Sequence, residues 1–222
     1  TDTSDDTYQI NVGGISSRLE QIKTNTASNT YATENQSFMT IKFDKTDKIW
    51  YAWDKVGTKY IFAHIAQIGS DGCAETSSGL NLTWRWSLTK SIDKFGNVIS
   101  YFYTYQIKSS QCQDQVAVYP VKILYGTSGN ANYRIYFELQ DRYDIKPGWL
   151  ENSSKALFSK KRLDKILIQS KETGEMRTIR QYDFGYYSDT NMIYYNHQYD
   201  VNVYGSRVLT LKSIQEKNAD GT

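Results

Sequence analysis

The chain has 222 residues, a length that suits one large domain or two small ones with a substantial core. Its 26 basic and 24 acidic side chains leave a formal net charge of +2, which gives no support to a nucleic-acid or anionic-membrane partner. No run of about 18 apolar residues occurs, so no membrane-spanning helix is predicted.

The first part of the chain carries weak structural signals. Residues 1–14 are polar, which predicts a frayed or edge segment, and residues 15–23 fit either a short strand or a helical turn. Residues 24–35 are rich in Asn, Thr and Ser and are predicted to be a loop. The chain opens in TDTSDD without a signal peptide and closes in NADGT, with 217–222 predicted to fray, so we expect an excised piece of a larger polypeptide.

Strand signals begin at residues 37–43. Residues 49–53 and 59–65 alternate aromatic with other side chains and are separated by Asp54-Lys55-Val56-Gly57, which predicts a hairpin. Residues 82–107 form a longer hairpin of the same kind, with its turn at 93–97, where Gly96 tolerates a positive φ.

The two arms of this longer hairpin carry matching sets of large side chains. We expect them to share one buried face, formed by Trp84, Trp86 and Leu88 on the first arm and Tyr101, Tyr103 and Tyr105 on the second. That alignment places Trp86 opposite Tyr103, so that facing residue numbers sum to an odd value. It therefore predicts an even-length loop, or a bulge at Gly96.

Further hairpins are predicted in the C-terminal half. Residues 116–125 pair with 133–140, residues 161–169 pair with 176–187, and 207–216 form a last strand, whereas 188–206 are a long polar connection. Helical periodicity is almost absent, and only 2 prolines interrupt the pattern. The sequence predicts an all-β fold, an antiparallel meander of long hairpins in a large twisted sheet or sandwich, as a single module over 1–222.

Two cysteines, Cys73 and Cys112, lie just beyond the two arms of the longer hairpin. If the arms pair, the strand exits lie close together, and a disulfide is geometrically sensible there. It would add about 4 kcal/mol through the lost freedom of the unfolded chain and would imply an oxidising compartment. Two independent free thiols are the alternative.

Paired carboxylates are the first candidates for catalysis. Asp141 with Asp144, and Asp71 with Glu75, have the residue types that glycoside hydrolysis needs. Acids in turns more often cap backbone donors, and Arg142 is better placed to pair with Asp144. A hydrolase is therefore a minor alternative, and no catalytic residue is predicted.

Histidine and metal chemistry has equally little support. His64 and His197 are isolated, with no second ligand at metal-binding spacing. The acidic run TDTSDD has oxygen ligands for calcium, but it lacks the glycine and the distal glutamate of an EF-hand loop. We predict no metal and no cofactor.

A tyrosine-rich loop at 194–204 is the sharpest local anomaly. Aromatic side chains with amide neighbours are suited to stacking on sugars or to a protein interface, and the alternative is packing on the sheet. The candidate binding residues are Tyr194, Tyr195, His197, Tyr199 and Tyr204.

An ordered series of short motifs runs through the chain from residue 50 to residue 221. Its members are Trp50…Trp53-Asp54-Lys55-x-Gly57-x-x-Tyr60-x-Phe62, Trp86-x-Leu88, Asp93-x-x-Gly96-Asn97-x-Ile99-x-Tyr101-x-Tyr103, Pro120-x-x-Ile123-x-Tyr125, Phe137-x-x-x-x-Arg142-x-Asp144, Lys161-Arg162-Leu163-x-x-Ile166, Arg180-x-Tyr182-x-x-x-Tyr186 and Leu211-x-x-Ile214-x-x-x-x-x-x-Asp220-Gly221. In order and spacing this series resembles the amino-terminal region of the Salmonella plasmid virulence protein SpvB. It equally resembles the matching region of the B component of insecticidal Tc toxin complexes, relatives of the Rhs/YD-repeat shells. Residues 188–206 lengthen a connection expected to be short in that family, and Val208 stands where an Arg-Leu pair is expected.

The resemblance implies a structural β module of a secreted bacterial protein. In the toxin complexes such a region helps to form a hollow β shell around a carboxy-terminal effector, and in the virulence protein it precedes an ADP-ribosyltransferase domain that this chain lacks. Neither assigns catalysis to the region. The implied partners are the rest of its own polypeptide and other toxin-complex subunits. The alternative is a carbohydrate- or receptor-binding domain that uses the loop at 194–204.

Overall fold

The computed structural model describes residues 7–68, 82–107, 114–126, 131–142, 159–172, 174–187, 193–196, 201–204 and 209–219. All regular structure in these ranges is β-strand, which confirms the all-β prediction. The strands are β1 (Tyr8–Val12), β2 (Ile15–Thr24), β3 (Ser28–Thr33), β4 (Thr40–Asp44), β5 (Ile49–Trp53), β6 (Lys59–Ile68), β7 (Leu82–Ile92), β8 (Val98–Ile107), β9 (Gln115–Gly126), β10 (Tyr133–Asp141), β11 (Lys161–Glu172), β12 (Glu175–Tyr186), β13 (Ile193–Asn196), β14 (Val201–Tyr204) and β15 (Leu211–Asn218).

Most of the strands belong to one antiparallel sheet. Its 13 strands follow chain order from β1 to β12 and end with β15, while β13 and β14 pair with each other. Strands that are consecutive in the chain are thus neighbours in the sheet, which confirms the predicted meander. No helix in the described part of the chain is long and apolar enough to cross a membrane.

Two compact units divide the chain. The N-terminal unit contains Thr1–Ile65 and Arg85–Tyr101, and the C-terminal unit contains Ala66–Trp84, Phe102–Tyr125 and Asn130–Thr222, with 126–129 assigned to the first.

The core of the N-terminal unit lies on one face of its strands. Ile41 on β4 is 1% exposed and faces Ala52 on β5, which is fully buried. Tyr31 on β3 pairs with Ile41 from the other side, and Phe43 faces Trp50. Because alternate residues of a strand point to one face, these side chains form a continuous apolar layer.

Side chains of β1 and β7 meet within this core. The ring centroid of Tyr8 lies 5.0 Å from that of Trp50 and 6.1 Å from that of Trp86. In a flat sheet, six strand spacings would separate β1 from β7 by about 29 Å. The sheet of this unit therefore curls, and a single curled sheet encloses the core.

Two turns of one design close the β5–β6 and β7–β8 hairpins. The amide of Gly57 donates to the carbonyl oxygen of Asp54 at 3.1 Å, and that of Gly96 donates to Asp93 at 3.0 Å. Both glycines have positive φ, 90° and 85°. These are type I turns followed by a glycine bulge, a position where other residues would be strained.

The register of the β7–β8 hairpin differs from the predicted one. Ser91 faces Ile99 and Lys90 faces Ser100, so facing residue numbers sum to an even value and the predicted odd sum is wrong here. The bulge forms at Gly96 as predicted, but it leaves three residues between Asp93 and Asn97, which sets the even sum.

The predicted shared face changes with this register. Tyr101 lies on the face of Ser91, and their hydroxyl oxygens are 3.3 Å apart, so it does not share the face of Leu88. Trp86 and Leu88 pack against the N-terminal core without Tyr101. The described pairing of β7 with β8 covers only Lys90–Ile92 and Val98–Ser100. That Trp84, Tyr103 and Tyr105 share a buried face therefore stays a prediction.

Several predicted boundaries move in the structure. Residues 28–33 form β3 rather than a loop, because Ser28, Tyr31 and Thr33 are buried beside β2 and β4. Residues 15–24 are a strand, which resolves the open choice at 15–23. Residues 8–12 are an edge strand with Ile10 and Val12 buried. The strand predicted at 37–43 begins at residue 40, and the last strand occupies 211–218.

Candidate functional site

The tyrosine-rich segment forms a small sheet of its own. β13 and β14 pair antiparallel within it, and they contain Tyr194, Tyr195 and Tyr204. His197 and Tyr199 lie outside the described residues. The role of the segment 194–204 in ligand binding stays a prediction.

The predicted disulfide and three of the four paired carboxylates also lie outside the described residues. This holds for Cys73 and Cys112 and for Asp71, Glu75 and Asp144. The disulfide therefore stays a prediction.

Asp141 and His64 are the candidate catalytic or metal-binding residues that the structure describes, and both have contacts typical of a structural role. Asp141 forms an ion pair with Lys161, with 2.8 Å between the carboxylate oxygen and Nζ. His64 is half-buried on β6, and burial, with a smaller effect of the nearby Arg85 charge, lowers its pKa. Among the residues that the structure describes, no three His, Cys, Asp or Glu side chains are grouped to hold a metal ion.

The C-terminal unit carries an apolar surface on one side of β10, β11, β12 and β15, and the ion pair of Arg180 with Glu216 borders it on the same side, opposite Ile168 and Tyr182. Facing pairs run across the four strands, with Phe137 opposite Ile166, Ile166 opposite Tyr182, and Phe184 opposite Ile214. We call this surface the apolar face, and it consists of Ile135, Phe137, Leu139, Leu163, Ile166, Ile168, Tyr182, Phe184, Tyr186, Leu211 and Ile214.

Two bulges keep the apolar face continuous. Leu163 and Ile166 are three residues apart, so strict alternation would place them on opposite sides. The register skips Asp164, which brings Leu163 opposite Leu139 on the apolar side. A skip at Lys212 does the same for the Leu211–Ile214 interval.

The opposite side of the same strands is charged and polar. Lys165 faces Glu138, with 3.8 Å between their charged atoms, and Lys217 lies 2.9 Å from Asp183. The hydrogen bond from Lys217, followed by that from Gln181, lowers the pKa of the Asp183 carboxyl. This side is built for contact with water.

The apolar face is less covered than the N-terminal core. All of its side chains are half-buried or exposed, and Leu211 and Ile214 keep 47% and 55% of their surface exposed. The N-terminal core, in contrast, contains side chains that are 0–9% exposed. A half-covered apolar sheet face is a surface suited to packing against another layer.

A buried polar cluster fixes the backbone at the start of β11. The hydroxyl of Tyr119 donates to Oε1 of Gln106 at 2.6 Å, and the amide of Lys160 donates to the same Gln106 oxygen at 2.7 Å and to the Tyr119 oxygen at 2.8 Å. Tyr119 and Gln106 are 9% and 8% exposed. The cluster supplies partners for a backbone amide at the start of a strand, a group that is costly to bury unpaired.

Sequence patterns indicated part of this arrangement. The alternation of Tyr133, Ile135, Phe137 and Leu139 predicts one face of β10, and the observed register confirms it. The bulges were not predicted, although the Leu-x-x-Ile spacing at 163–166 and at 211–214 departs from period two and marks both of them.

Comparisons with known proteins give a fold likeness. No protein-family model matches the sequence, and no curated protein sequence matches it at a significant level. The solved structure of the N-terminal domain of the effector protein SpvB from Salmonella typhimurium strain LT2 matches with a TM-score of 0.53 and 12% identity, over 98% of this chain and 76% of that chain. The crystal structure of TcdB2-TccC3 matches with a TM-score of 0.48 and 13% identity, over 82% of this chain and 11% of that chain. The SpvB match shows a shared fold, and SpvB is one of the two proteins that the motif series resembles.

Proposed function

We propose that this protein is a non-catalytic structural module of a secreted bacterial toxin-like protein, in which its sheet helps to build a β shell or to present an attached effector. The observation that supports this proposal most directly is the half-covered apolar face, which lies on the opposite side of the strands from a charged and polar side. The likeness in fold to a domain of an effector protein supports the toxin-related setting.

The apolar face accounts for the choice of a structural role. Burying a whole Leu or Ile side chain is worth about 1.5–3 kcal/mol, and Leu211 and Ile214 keep roughly half of that available for a further contact. Spread over four strands, this surface favours a broad packing layer rather than a small-molecule cleft. The rest of its own polypeptide and other toxin-complex subunits are the proposed partners.

Substitutions on β15 test this role in the larger polypeptide that we propose contains this module. Leu211→Ser with Ile214→Ser removes two exposed apolar side chains, and we expect faster proteolysis of the assembled polypeptide. Gln215→Ser lies on the same strand, faces Asp183 on the charged side, and should behave as the unaltered protein. Equal resistance of all three proteins would argue against packing through the apolar face.

A carbohydrate- or receptor-binding role is the second proposal. It is favoured by the separate β13–β14 sheet, which pairs with no strand of the main sheet among the described residues. Replacing Tyr194, Tyr195, Tyr199 and Tyr204 by Ala should abolish signals on a glycan array or in a receptor pull-down. Binding that survives these substitutions removes the support for this role.

A further inference from the structure

Strand β1 completes the N-terminal core although its backbone is paired along one edge. In the described part of the chain, its backbone partner is β2, through five facing residue pairs. Ile10 and Val12 are buried, and Tyr8 lies on the same face of the strand because alternate residues point the same way. The strand therefore supplies three inward side chains to a core from which its backbone is easily separated.

The start of β1 is held by aromatic contacts with strands that are not its neighbours. The ring centroid of Tyr8 lies 5.0 Å from that of Trp50 on β5, 6.1 Å from that of Trp86 on β7 and 5.9 Å from that of Tyr31 on β3. None of these three strands is next to β1 in the sheet order. Ring packing across the curled sheet thus fixes this end of the strand.

The other end of β1 is docked through a glycine turn. Gly13 and Gly14 form the two-residue connection to β2, with φ values of 58° and 78°, as in a type I′ turn. A Cβ atom built on Gly13 would lie 3.2 Å from the hydroxyl oxygen of Tyr60 on β6. That hydroxyl donates to Oδ2 of Asp54 at 3.1 Å, which fixes its position. The missing side chain at residue 13 allows the turn to approach Tyr60 closely.

The side chains that β1 covers are among the best buried in the unit. Ile10 and Val12 belong to one buried cluster with Tyr31, Ile41 and Trp50. These last three are 5%, 1% and 7% exposed. Displacing β1 would therefore open a largely aromatic and aliphatic cluster to water.

The pairing pattern makes β1 easier to release than the inner strands of this core. β3, β4 and β5 each have backbone partners along both edges, so freeing one of them breaks two ladders. Freeing β1 breaks one ladder of five pairs. Its outward side chains, Gln9 and Asn11, are exposed and lose no burial. Segments with few bonds to the rest of a structure open at lower free energy than its centre.

We infer that β1 is a strap, which opens as a unit while β2 to β5 stay paired. Tyr8 holds the strap shut at one end, and the contact of Gly13 with Tyr60 holds it shut at the other. Opening the strap gives access to apolar side chains that are otherwise inside the N-terminal unit. The inference is independent of the proposed structural role, because that role rests on the apolar face of the C-terminal unit.

Native-state hydrogen exchange of the whole chain, at urea concentrations below the unfolding transition, tests the strap. The protected amides of β1 should exchange at least about ten-fold faster than those of β4, with a weaker dependence on urea, because opening the strap exposes less surface than global unfolding. Equal rates and equal urea dependence in β1 and β4 would show that the core opens only as a whole and would overturn the inference.

Two tyrosine substitutions test which contacts hold the strap. Tyr8→Ala should speed exchange of the β1 amides at least about ten-fold, because the ring contacts are lost when the strap opens. Tyr51→Ala is the matched control, since Tyr51 lies on the other face of β5 and stacks on Trp53. It should leave β1 exchange unchanged, because its contacts persist in the open state. Equal acceleration of β1 exchange by the two substitutions would contradict a separate opening.

A pair of glycine substitutions tests the docked turn. Gly13→Ala and Gly14→Ala both place a side chain at positive φ, but a Cβ atom on Gly14 has no neighbour within 4 Å. Both should speed β1 exchange through backbone strain. Adding Tyr60→Phe should reduce the effect of Gly13→Ala, because it removes the crowded oxygen, and should leave the effect of Gly14→Ala unchanged. The same response of both variants to Tyr60→Phe would refute the contact that holds this end of the strap.

Discussion

Ile41 shows at the scale of one residue what stabilises the N-terminal unit. Its side chain is 1% exposed between β3 and β5, so its removal leaves a cavity in a packed layer. We predict that Ile41→Ala lowers the free energy of unfolding by about 2–5 kcal/mol in urea titrations. Ile22→Ala, at a position 66% exposed, should change it by less than about 0.5 kcal/mol. Equal losses in the two variants would show that the core is placed wrongly.

The turn aspartates link stability to pH. The hydrogen bond from the Asn97 side chain, with backbone amides, lowers the pKa of Asp93. Burial opposes ionisation of Asp54, but hydrogen bonds from Thr58, Tyr60 and Val56 outweigh it and lower its pKa as well. A carboxyl whose folded pKa is lowered contributes stability that is complete above its unfolded pKa of about 4 and is lost as the pH falls through the folded value.

Acid unfolding tests this linkage. We predict that urea midpoints of the unaltered protein fall as the pH is lowered from about 5 to below the folded pKa values of the two aspartates. The double variant Asp54→Asn/Asp93→Asn should show a shallower fall over that range, because its amides do not titrate. The same slope in both proteins would contradict the assigned hydrogen bonds.

At the scale of elements, turn chemistry was easier to predict than register. The Asp-x-x-Gly pattern identified both hairpin turns, since a carboxylate and a glycine with positive φ are what the turn requires. Register depends on whether two or three residues lie inside the turn, which the Asp93–Asn97 sequence does not state. A difference of one residue in the length of the turn moves Tyr101 to the other face of the sheet. In the structure, Tyr101 lies on the same face as Ser91.

Strand β3 was missed for a related reason. Its Asn, Thr and Ser residues read as a loop, but Ser28 and Thr33 are buried beside neighbouring strands. Polar side chains on a sheet are tolerated where tertiary contacts satisfy them, and such contacts are not visible in the local sequence. Burial by neighbouring strands overrode the local propensity.

The polar cluster at the start of β11 gives a prediction for one element. Tyr119→Phe removes a hydroxyl that donates to Gln106 and accepts from the Lys160 amide, and we expect a loss of about 1–3 kcal/mol in the free energy of unfolding. Tyr125→Phe is the matched control, because its described contact is a ring stack on Tyr133, with centroids 5.3 Å apart. A larger loss for the control would contradict the role of the cluster.

At the scale of the whole molecule, one sequence pattern produces two different environments. Alternating apolar residues form a buried core in the N-terminal unit and a half-covered face in the C-terminal unit. Alternation predicts which side chains share a face, but it does not predict whether a sheet curls around that face. The contact between Tyr8 and Trp86 is what closes the first core, and these residues are far apart in the sequence.

The apolar face could likewise be predicted only in part from the sequence. The motif series indicated the fold and a structural role, and the alternation on β10 indicated one strand of the apolar face. The continuity of that face could not be predicted, because it depends on bulges at Asp164 and Lys212 that exist only once the strands pair. Its half-covered state depends on tertiary packing.

Hydroxyl-radical footprinting of this chain alone and within the larger polypeptide proposed to contain it tests the structural role most directly. We predict that Tyr182, Phe184 and Ile214 of the apolar face are labelled several-fold more slowly in the full polypeptide. Tyr136 provides the control, because it lies on the charged side of β10, is 38% exposed and should keep its rate. Unchanged labelling of the apolar face in the full polypeptide would contradict the proposal that this module is a packing layer of a larger protein.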